Sequence, residues 1–257
     1  MGIAGIRRSA GPVVAAALVA TGLIRIIHPA MRDRADLALI NVTDDLQPDR
    51  AGFSDRFRFV GPLLRPDEHT DVDLPWEQLS AGPVLFVSFG TVYQRSTDLY
   101  RRIAEAFRET DWTVVMATAR TDPALLGPLP PNVYAHRFVP QHRVLQHSDV
   151  FITHAGMNSV LDAVMCRVPM LTLPSSLDQK GVAEHLSSLG IGSTFHSGLS
   201  AEEIRAAVHQ LAGDAALKSR LDQLADAMPE PAIAAANAAD ALEDLVRERR
   251  RGIAAPA

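Results

Sequence analysis

Short apolar runs alternate with helix-like segments along most of the chain, and this alternation constrains the fold more than any other feature. The run at 84–89 (VLFVSF) is almost wholly apolar, which is typical of a strand buried on both faces of a parallel sheet. Strands that alternate with helices of about ten residues form right-handed βαβ units. The sequence therefore predicts an α/β fold with a Rossmann-like, doubly wound parallel sheet from about 66 to 231. The predicted strands are 36–42, 57–60, 84–89, 112–118, 133–138, 150–153 and 170–173, and the predicted helices are 99–107, 158–165, 180–189, 201–211, 217–228 and 231–251.

Composition narrows the class of protein. The 257 residues are 47% hydrophobic and 21% charged, a balance typical of chains that bury a core. The formal net charge of −5 offers no general attraction for nucleic acid, so no nucleic-acid partner is expected. A single cysteine, Cys166, excludes a disulfide framework and a zinc site built from several cysteines. We expect a cytoplasmic protein.

Two segments near the start need separate interpretation. Arg7 and Arg8 precede an apolar run at 13–24, an order that signal peptides share. The run is too short to span a membrane and no small-residue cleavage site follows, so a helix packed in a larger fold is favoured over a signal or anchor. The acidic, proline-containing segment 66–83 is predicted to be a linker or surface loop.

Two strand ends have the composition of a phosphate site. The strand at 84–89 ends in Gly90-Thr91, and the strand at 150–153 leads into HAGMNS at 154–159, where a helix is predicted to begin. Free N–H groups at a helix start bind anions. Neither G-x-G-x-x-G nor G-x-x-x-x-G-K-[ST] occurs in the chain. Taken singly, Asn158 and Ser159 are better explained as helix caps, and His154 as a structural histidine.

The combined pattern resembles a known family. Residues 138–179 read FVPQHRVLQHSDVFITHAGMNSVLDAVMCRVPMLTLPSSLDQ, and SFGT at 88–91 and VGPLLRP at 60–66 accompany them at matching places. This pattern resembles the nucleotide-sugar signature of GT-B glycosyltransferases related to the UDP-glycosyltransferases, in their bacterial macrolide-type branch. The resemblance extends over about 36–228. It implies that residues 66–231 are the donor half of a GT-B fold.

The resemblance also implies roles for particular residues. Phe138 takes the place of an aromatic residue that stacks on the base, and Gln141 that of a glutamine at the base or ribose. Asp162 stands where a glutamate usually holds the ribose hydroxyls. Asp178 and Gln179 match the pair that binds the transferred sugar. The implied diphosphate contacts are Thr91, His154, Gly156, Asn158 and Ser159.

Departures from the family pattern qualify this assignment. Asp162 is one methylene shorter than glutamate, so its contact with ribose requires a longer reach or a bridging water. Arg167 replaces a glycine that follows the helix, and arginine in a left-handed helix cap costs about 1 kcal/mol or more. His147 also matches a family position, and we interpret it as structural.

Residues 1–65 resemble only the end of the acceptor domain that supplies the catalytic histidine in full-length relatives, with a helix at 12–27, a strand at 36–42 and the interdomain linker. His28 does not stand in that catalytic context, so the catalytic base is unknown. Residues 232–257 are expected to form a C-terminal helix and tail.

Three functions remain in competition. The first is an inverting, metal-independent glycosyltransferase that moves a hexose from a UDP- or TDP-linked donor to a hydroxyl of a small lipophilic acceptor, without a cofactor. The second is a nucleotide-sugar-binding or auxiliary protein that needs a companion acceptor-domain chain or self-associates. The third, a nucleotide-sugar epimerase, is disfavoured by the HAGMNS and DQ elements. The sequence does not identify the sugar, base or acceptor.

Overall fold

The computed structural model describes residues 36–47, 50–63, 71–91, 95–196 and 198–254. They fall into two compact units, one formed by 65–227 and the other by the described parts of 1–64 and 228–257. The final helix, which the sequence analysis placed in a separate segment at 232–257, thus groups with the N-terminal strands. The expected helix at 12–27 and the apolar run at 13–24 lie outside the described residues. Among the described helices, none is long and apolar enough to cross a membrane.

The larger unit is built on one parallel sheet of six strands, which confirms the predicted α/β fold. The strand order is β5-β4-β3-β6-β7-β8, and every neighbouring pair is parallel. This order is that of a doubly wound, Rossmann-like sheet. The strands of the described chain are β1 Ala38–Ile40, β2 Phe57–Phe59, β3 Val84–Ser88, β4 Thr113–Ala117, β5 Val133–His136, β6 Val150–Thr153, β7 Met170–Thr172 and β8 Gly192–Thr194.

Helices connect these strands. Their bounds are α1 Trp76–Leu79, α2 Thr97–Ala106, α3 Gln141–Leu145, α4 Met157–Met165, α5 Leu177–Ser188, α6 Ala201–Gly213, α7 Ala215–Ala227 and α8 Pro231–Ala254. Single turns of 3-10 helix occur at Asp44–Leu46, Arg50–Gly52 and Pro123–Leu126.

The core lies in the centre of the sheet. Every residue of β3, β6 and β7 is buried, as their continuous apolar sequences predict. Phe86 and Phe151 face each other in the register of β3 and β6 and stack with their ring centroids 4.9 Å apart. This rigid centre fixes the carboxyl ends of β3 and β6, where the candidate site lies.

The structure corrects several local predictions. The edge strand β8 was missed because its three residues are small, polar and only partly buried. Helix α5 begins at Leu177 rather than 180, since Gln179 reaches back to cap it. The segment predicted as a linker or loop contains α1, whose Leu79 is buried. The short helix α3 was also missed.

In the smaller unit, β1 and β2 pair in parallel through Ala38 and Phe57. Gly61 adopts a φ of +93°, and a Cβ there would lie 2.4 Å from the Pro229 ring. Glycine is therefore required at this turn. Asp36 forms an ion pair with Arg249 of α8.

Candidate functional site

The strand order of the larger unit reverses between β3 and β6. From β3 the chain proceeds outward through β4 to β5, and from β6 it proceeds the other way through β7 to β8. Ligands of doubly wound sheets bind in the crevice at the carboxyl ends of the strands where this reversal occurs. Gly90 and Thr91 follow β3 there, and His154 follows β6. The two strand ends singled out in the sequence are thus neighbours at the switch point.

The His154 imidazole is held between two glycines. A Cβ on Gly90 would lie 2.8 Å from the ring atoms Cε1 and Nε2, and a Cβ on Gly156 would lie 2.4 Å from Nε2. Gly90 also has a φ of +72°, which glycine adopts without strain. Both positions therefore exclude a side chain, and their backbones close on the ring.

The environment of His154 keeps its imidazole neutral. Burial lowers its pKa from 6.5 to about 4, and the positive charge of Arg95 adds to this effect. The Ser88 carbonyl and the Asp178 carboxylate act in the opposite direction with smaller weight. Nδ1 is buried and has no hydrogen-bond partner of good geometry within the described residues. At neutral pH the ring therefore offers a neutral N–H donor rather than a charge.

The turn after His154 leads directly into α4. Ala155 is buried and has a φ of +63°, a left-handed conformation that costs a non-glycine residue about 1 kcal/mol or more. Gly156 is the N-cap and contributes no side-chain cap. First-turn N–H groups have no partner within any helix, so this end of α4 favours an anion. Asn158 is exposed on this turn and Ser159 is buried.

Gln141 and Asp162 form a polar pair beside this turn. The Gln141 amide donates from Nε2 to Oδ2 of Asp162 at 2.7 Å. Gln141 begins α3, which packs against α4, so helix packing brings together two residues that are 21 positions apart in sequence. Phe138, in the segment before α3, leaves 42% of its surface exposed. An amide, a carboxylate and an exposed ring are suited to a ribose and a base.

Asp178 and Gln179 lie in the first turn of α5 but differ in environment. Asp178 is partly exposed, and its charge acts on His154. Gln179 is buried, and its Oε1 accepts from the backbone N–H groups of Ser175 at 2.8 Å and Ser176 at 3.3 Å. The Gln179 oxygen is thus engaged in the turn before the helix. The S-x-x-Q spacing signals this capping arrangement in the sequence.

Arg95 is a further residue of this region, which the sequence analysis missed. It lies just before α2, and its Nη2 donates to the Leu173 carbonyl at the end of β7 at 2.6 Å. Its charge lowers the pKa of His154. In the sequence, Arg95 is marked only as a basic residue shortly after the end of β3. This signal is weak when the fold is not known.

Of the other residues of interest, His147 and Cys166 lie outside this cluster, whereas Thr91 lies at the switch point. His147 contacts Ser80 and the Trp76 ring, consistent with a structural role. Cys166 is only partly buried, with its Sγ 3.8 Å from Nδ1 of His142. Thr91 is exposed at the end of β3, and its carbonyl accepts from Arg120. Within the described ranges, no group of three or more His, Cys, Asp or Glu side chains is placed to hold a metal ion.

Arg167 keeps the left-handed cap despite replacing glycine. Its φ is +58°, its N–H bonds to Val164, and the next N–H bonds to Ala163, which together form a Schellman motif at the end of α4. The guanidinium forms ion pairs with Asp222 and Asp226 of α7. These exposed ion pairs offset part of the backbone strain.

Comparisons with known proteins agree with this arrangement. The sequence model of the family described as UDP-glucoronosyl and UDP-glucosyl transferase matches residues 39–228. The chain is 33% identical over 196 residues to the NDP-glycosyltransferase YjiC of Bacillus licheniformis, a match that covers 76% of this chain and 50% of that protein. It is 34% identical over 161 residues to the oleandomycin glycosyltransferase of Streptomyces antibioticus, a match that covers 60% of this chain and 36% of that protein.

A solved structure is similar to this chain in both fold and sequence. The calicheamicin glycosyltransferase CalG4 superposes with a TM-score of 0.70 at 34% identity, over 89% of this chain and 55% of that protein. The chain spans about half the length of the three Bacillus relatives with 50%, 47% and 48% of their own length matched.

Proposed function

The chain belongs to the UDP-glucoronosyl and UDP-glucosyl transferase family, and we propose that it forms the donor-binding half of a glycosyltransferase. This membership confirms the resemblance drawn from residues 138–179. In the proposed reaction, a hexose moves from a UDP- or TDP-linked donor to a hydroxyl of a small lipophilic acceptor. The names of the oleandomycin and calicheamicin transferases support an acceptor of the natural-product class.

One observation carries the proposal: His154 is fixed between two glycines directly beside the uncapped start of α4. A neutral N–H donor and a helix N-terminus at the sheet's switch point suit a diphosphate. In this proposal, Gln141 and Asp162 bind the nucleoside and Asp178 binds the sugar.

The proposed chemistry is a single inverting displacement. A base removes the proton from the acceptor hydroxyl, whose oxygen bonds to the anomeric carbon as the bond from that carbon to the diphosphate oxygen breaks. The electron pair leaves with the nucleoside diphosphate, so negative charge grows on its terminal phosphate. Preorganised N–H donors at the start of α4 and His154 stabilise this charge without reorganisation. We therefore propose a metal-independent, cofactor-free reaction, tested by whether the transfer seen with an added acceptor domain persists in EDTA.

A second candidate is a donor-binding protein that needs a companion chain for turnover. A general base works best with a pKa near the operating pH. Burial lowers the pKa of His154 to about 4, which makes it a poor base at neutral pH. The acceptor site and base then come from residues outside the described ranges or from a companion acceptor-domain chain. The proposal also includes self-association. It includes a cytoplasmic location as well, which the single cysteine supports because disulfide frameworks are rare in that compartment.

The test combines binding with turnover. Calorimetric titration of the purified chain with UDP and TDP should detect binding of one or both, and failure to bind either contradicts the proposed function. Transfer from UDP-glucose or TDP-glucose to phenolic and macrolide acceptors should be negligible for the chain alone. It should rise when the acceptor domain of a relative is added as a separate chain. Brisk transfer by the isolated monomer would eliminate the second candidate. NMR of the product shows whether the configuration of the anomeric carbon is inverted.

A further inference from the structure

Arg95 is held in a fixed position by three strand ends. Its guanidinium lies 4.9 Å from the centroid of the Phe89 ring, just after β3. Its Nη2 donates to the Leu173 carbonyl, just after β7, at 2.6 Å. Its own carbonyl accepts from Oγ1 of Thr121, beyond β4, at 3.0 Å. Both the backbone and the side chain of this arginine are therefore placed by the sheet.

The register places His154 between the two residues that Arg95 contacts. β6 lies between β3 and β7, so the residues that follow the neighbouring strands are Phe89 on one side of His154 and Leu173 on the other. The Leu173 N–H bonds to the Thr153 carbonyl at 2.7 Å, which continues this alignment one step beyond the strands. Neighbouring strands are about 4.8 Å apart. The guanidinium thus reaches across the strand end that carries His154.

The Arg95 charge has no counter-ion in the described part of the chain. None of the ion pairs among those residues includes Arg95. Its Nε is buried and has no hydrogen-bond partner among the residues that the structure describes. Burial also lowers the pKa of the guanidinium. A half-buried cation without an anion beside it is destabilising, and a bound anion offsets that cost.

We propose that Arg95 is a donor-binding residue whose guanidinium, together with His154, binds the diphosphate of the nucleotide sugar. This inference rests on the proposed function. His154 contributes a neutral N–H and α4 a partial charge, whereas Arg95 contributes a full positive charge. A planar guanidinium suits two phosphate oxygens at once, and the bond from Nη2 to Leu173 uses only one of its five N–H donors. The same charge stabilises the diphosphate as it leaves the sugar.

The alternative role for Arg95 is structural, because its bond to Leu173 and its contact with Phe89 also tie two strand ends together. A structural role predicts that every ligand of the site is affected alike. A charge role predicts that only ligands with phosphate are affected. UDP and TDP compared with uridine and thymidine therefore separate the two roles.

The variants are Arg95→Met, which removes the positive charge, and Arg95→Lys, which keeps the charge but lacks the planar guanidinium. Arg101→Met is the matched control. Arg101 also donates to two backbone carbonyls, those of Leu125 and Leu126, but it is exposed and paired with Asp98. Its replacement changes the net charge equally and leaves the switch point intact.

Calorimetric titration of the full chain gives the result. Arg95→Met should weaken UDP or TDP binding by about 10- to 100-fold, the effect of one charged hydrogen bond, and leave nucleoside binding unchanged. Arg95→Lys should show a smaller loss, and Arg101→Met none.

Unchanged UDP and TDP binding by Arg95→Met, or equal losses for nucleoside and diphosphate, overturns the inference while the proposed function stands. If Arg95→Met does not fold, equal losses for the two ligand classes in Arg95→Lys overturn it. A wild-type chain that binds neither UDP nor TDP overturns the proposed function itself and this inference with it.

Discussion

The His154 ring lies so close to Gly156 that a Cβ on that glycine would stand 2.4 Å from Nε2. Gly156 has an ordinary φ of −71°, so the restriction comes from the ring and not from the backbone conformation. Glycine is required here because the imidazole and the first turn of α4 must approach one another. This contact joins the two parts of the site that we assign to the diphosphate.

Gly156→Ala should therefore displace His154 and weaken UDP or TDP binding by about 1–3 kcal/mol, the loss of one or two hydrogen bonds to a charged ligand. Gly181→Ala is the control, because nothing lies within 4 Å of its Cβ position in α5. The control should bind normally and gain about 1 kcal/mol in unfolding free energy from helix propensity. Calorimetry and urea denaturation measure both quantities. Equal binding by the two variants would contradict the steric argument.

The lowered pKa of His154 makes stability depend on pH. Between 6.5, its ordinary value, and about 4, its value in the folded protein, the unfolded chain binds a proton that the folded chain does not. Unfolding free energy therefore rises with pH across this window and is lost on acidification.

His154→Asn should remove this pH dependence. On going from about pH 7.5 to about pH 4.5, the wild type should lose about 2–3 kcal/mol more unfolding free energy than the variant. The groups that modify the effect of burial on this pKa, Arg95, Asp178 and the Ser88 carbonyl, are present in both proteins. Urea denaturation at the two pH values measures the difference. Parallel losses in the two proteins would show that His154 titrates normally.

The sheet and the position of the site could be predicted from sequence because each depends on local patterns. Continuous apolar runs such as Val84–Ser88 identify buried parallel strands, and the glycine and polar residues after β3 and β6 mark their ends. Family resemblance then assigned roles to the residues around those ends. The helix starting at Pro231 was predicted at its first residue, because proline fits the first helical turn.

The features that were missed depend on contacts between distant residues or on weak local signals. Strand β8 has only three small and polar residues, so pairing with β7, and not its own sequence, makes it a strand. The Gln141–Asp162 bond depends on the packing of α3 against α4. Arg95 becomes relevant only when β3, β6 and β7 align its contacts on either side of His154.

Asp178→Ala should reduce the affinity for a sugar nucleotide by about 1.5–3 kcal/mol, because a carboxylate that accepts from sugar hydroxyls is lost. Binding of bare UDP or TDP should change little. Glu184→Ala, an exposed carboxylate further along α5, is the control and should affect neither ligand. Titrations with UDP-glucose and TDP-glucose, paired with the bare diphosphates, provide the comparison. Equal losses for both ligand classes would remove Asp178 from the sugar side.

Arg167 combines a strained backbone with two ion pairs, and two variants separate these effects. Arg167→Gly and Arg167→Ala both lose the contacts with Asp222 and Asp226. Only alanine keeps the cost of a φ near +58°. The glycine variant should thus exceed the alanine variant by about 1 kcal/mol in unfolding free energy, measured in urea. Equal stabilities would mean that the Schellman turn relaxes when the arginine is removed.

The most direct test of the donor site is the titration of His154→Ala with UDP and TDP against the wild type. His185→Ala, a change in the last turn of α5, controls for the loss of a histidine. The account predicts that His154→Ala weakens diphosphate binding by about 1–3 kcal/mol while the control binds as the wild type does. A folded His154→Ala protein that binds UDP and TDP with wild-type affinity would contradict the assignment of the switch point as the diphosphate site.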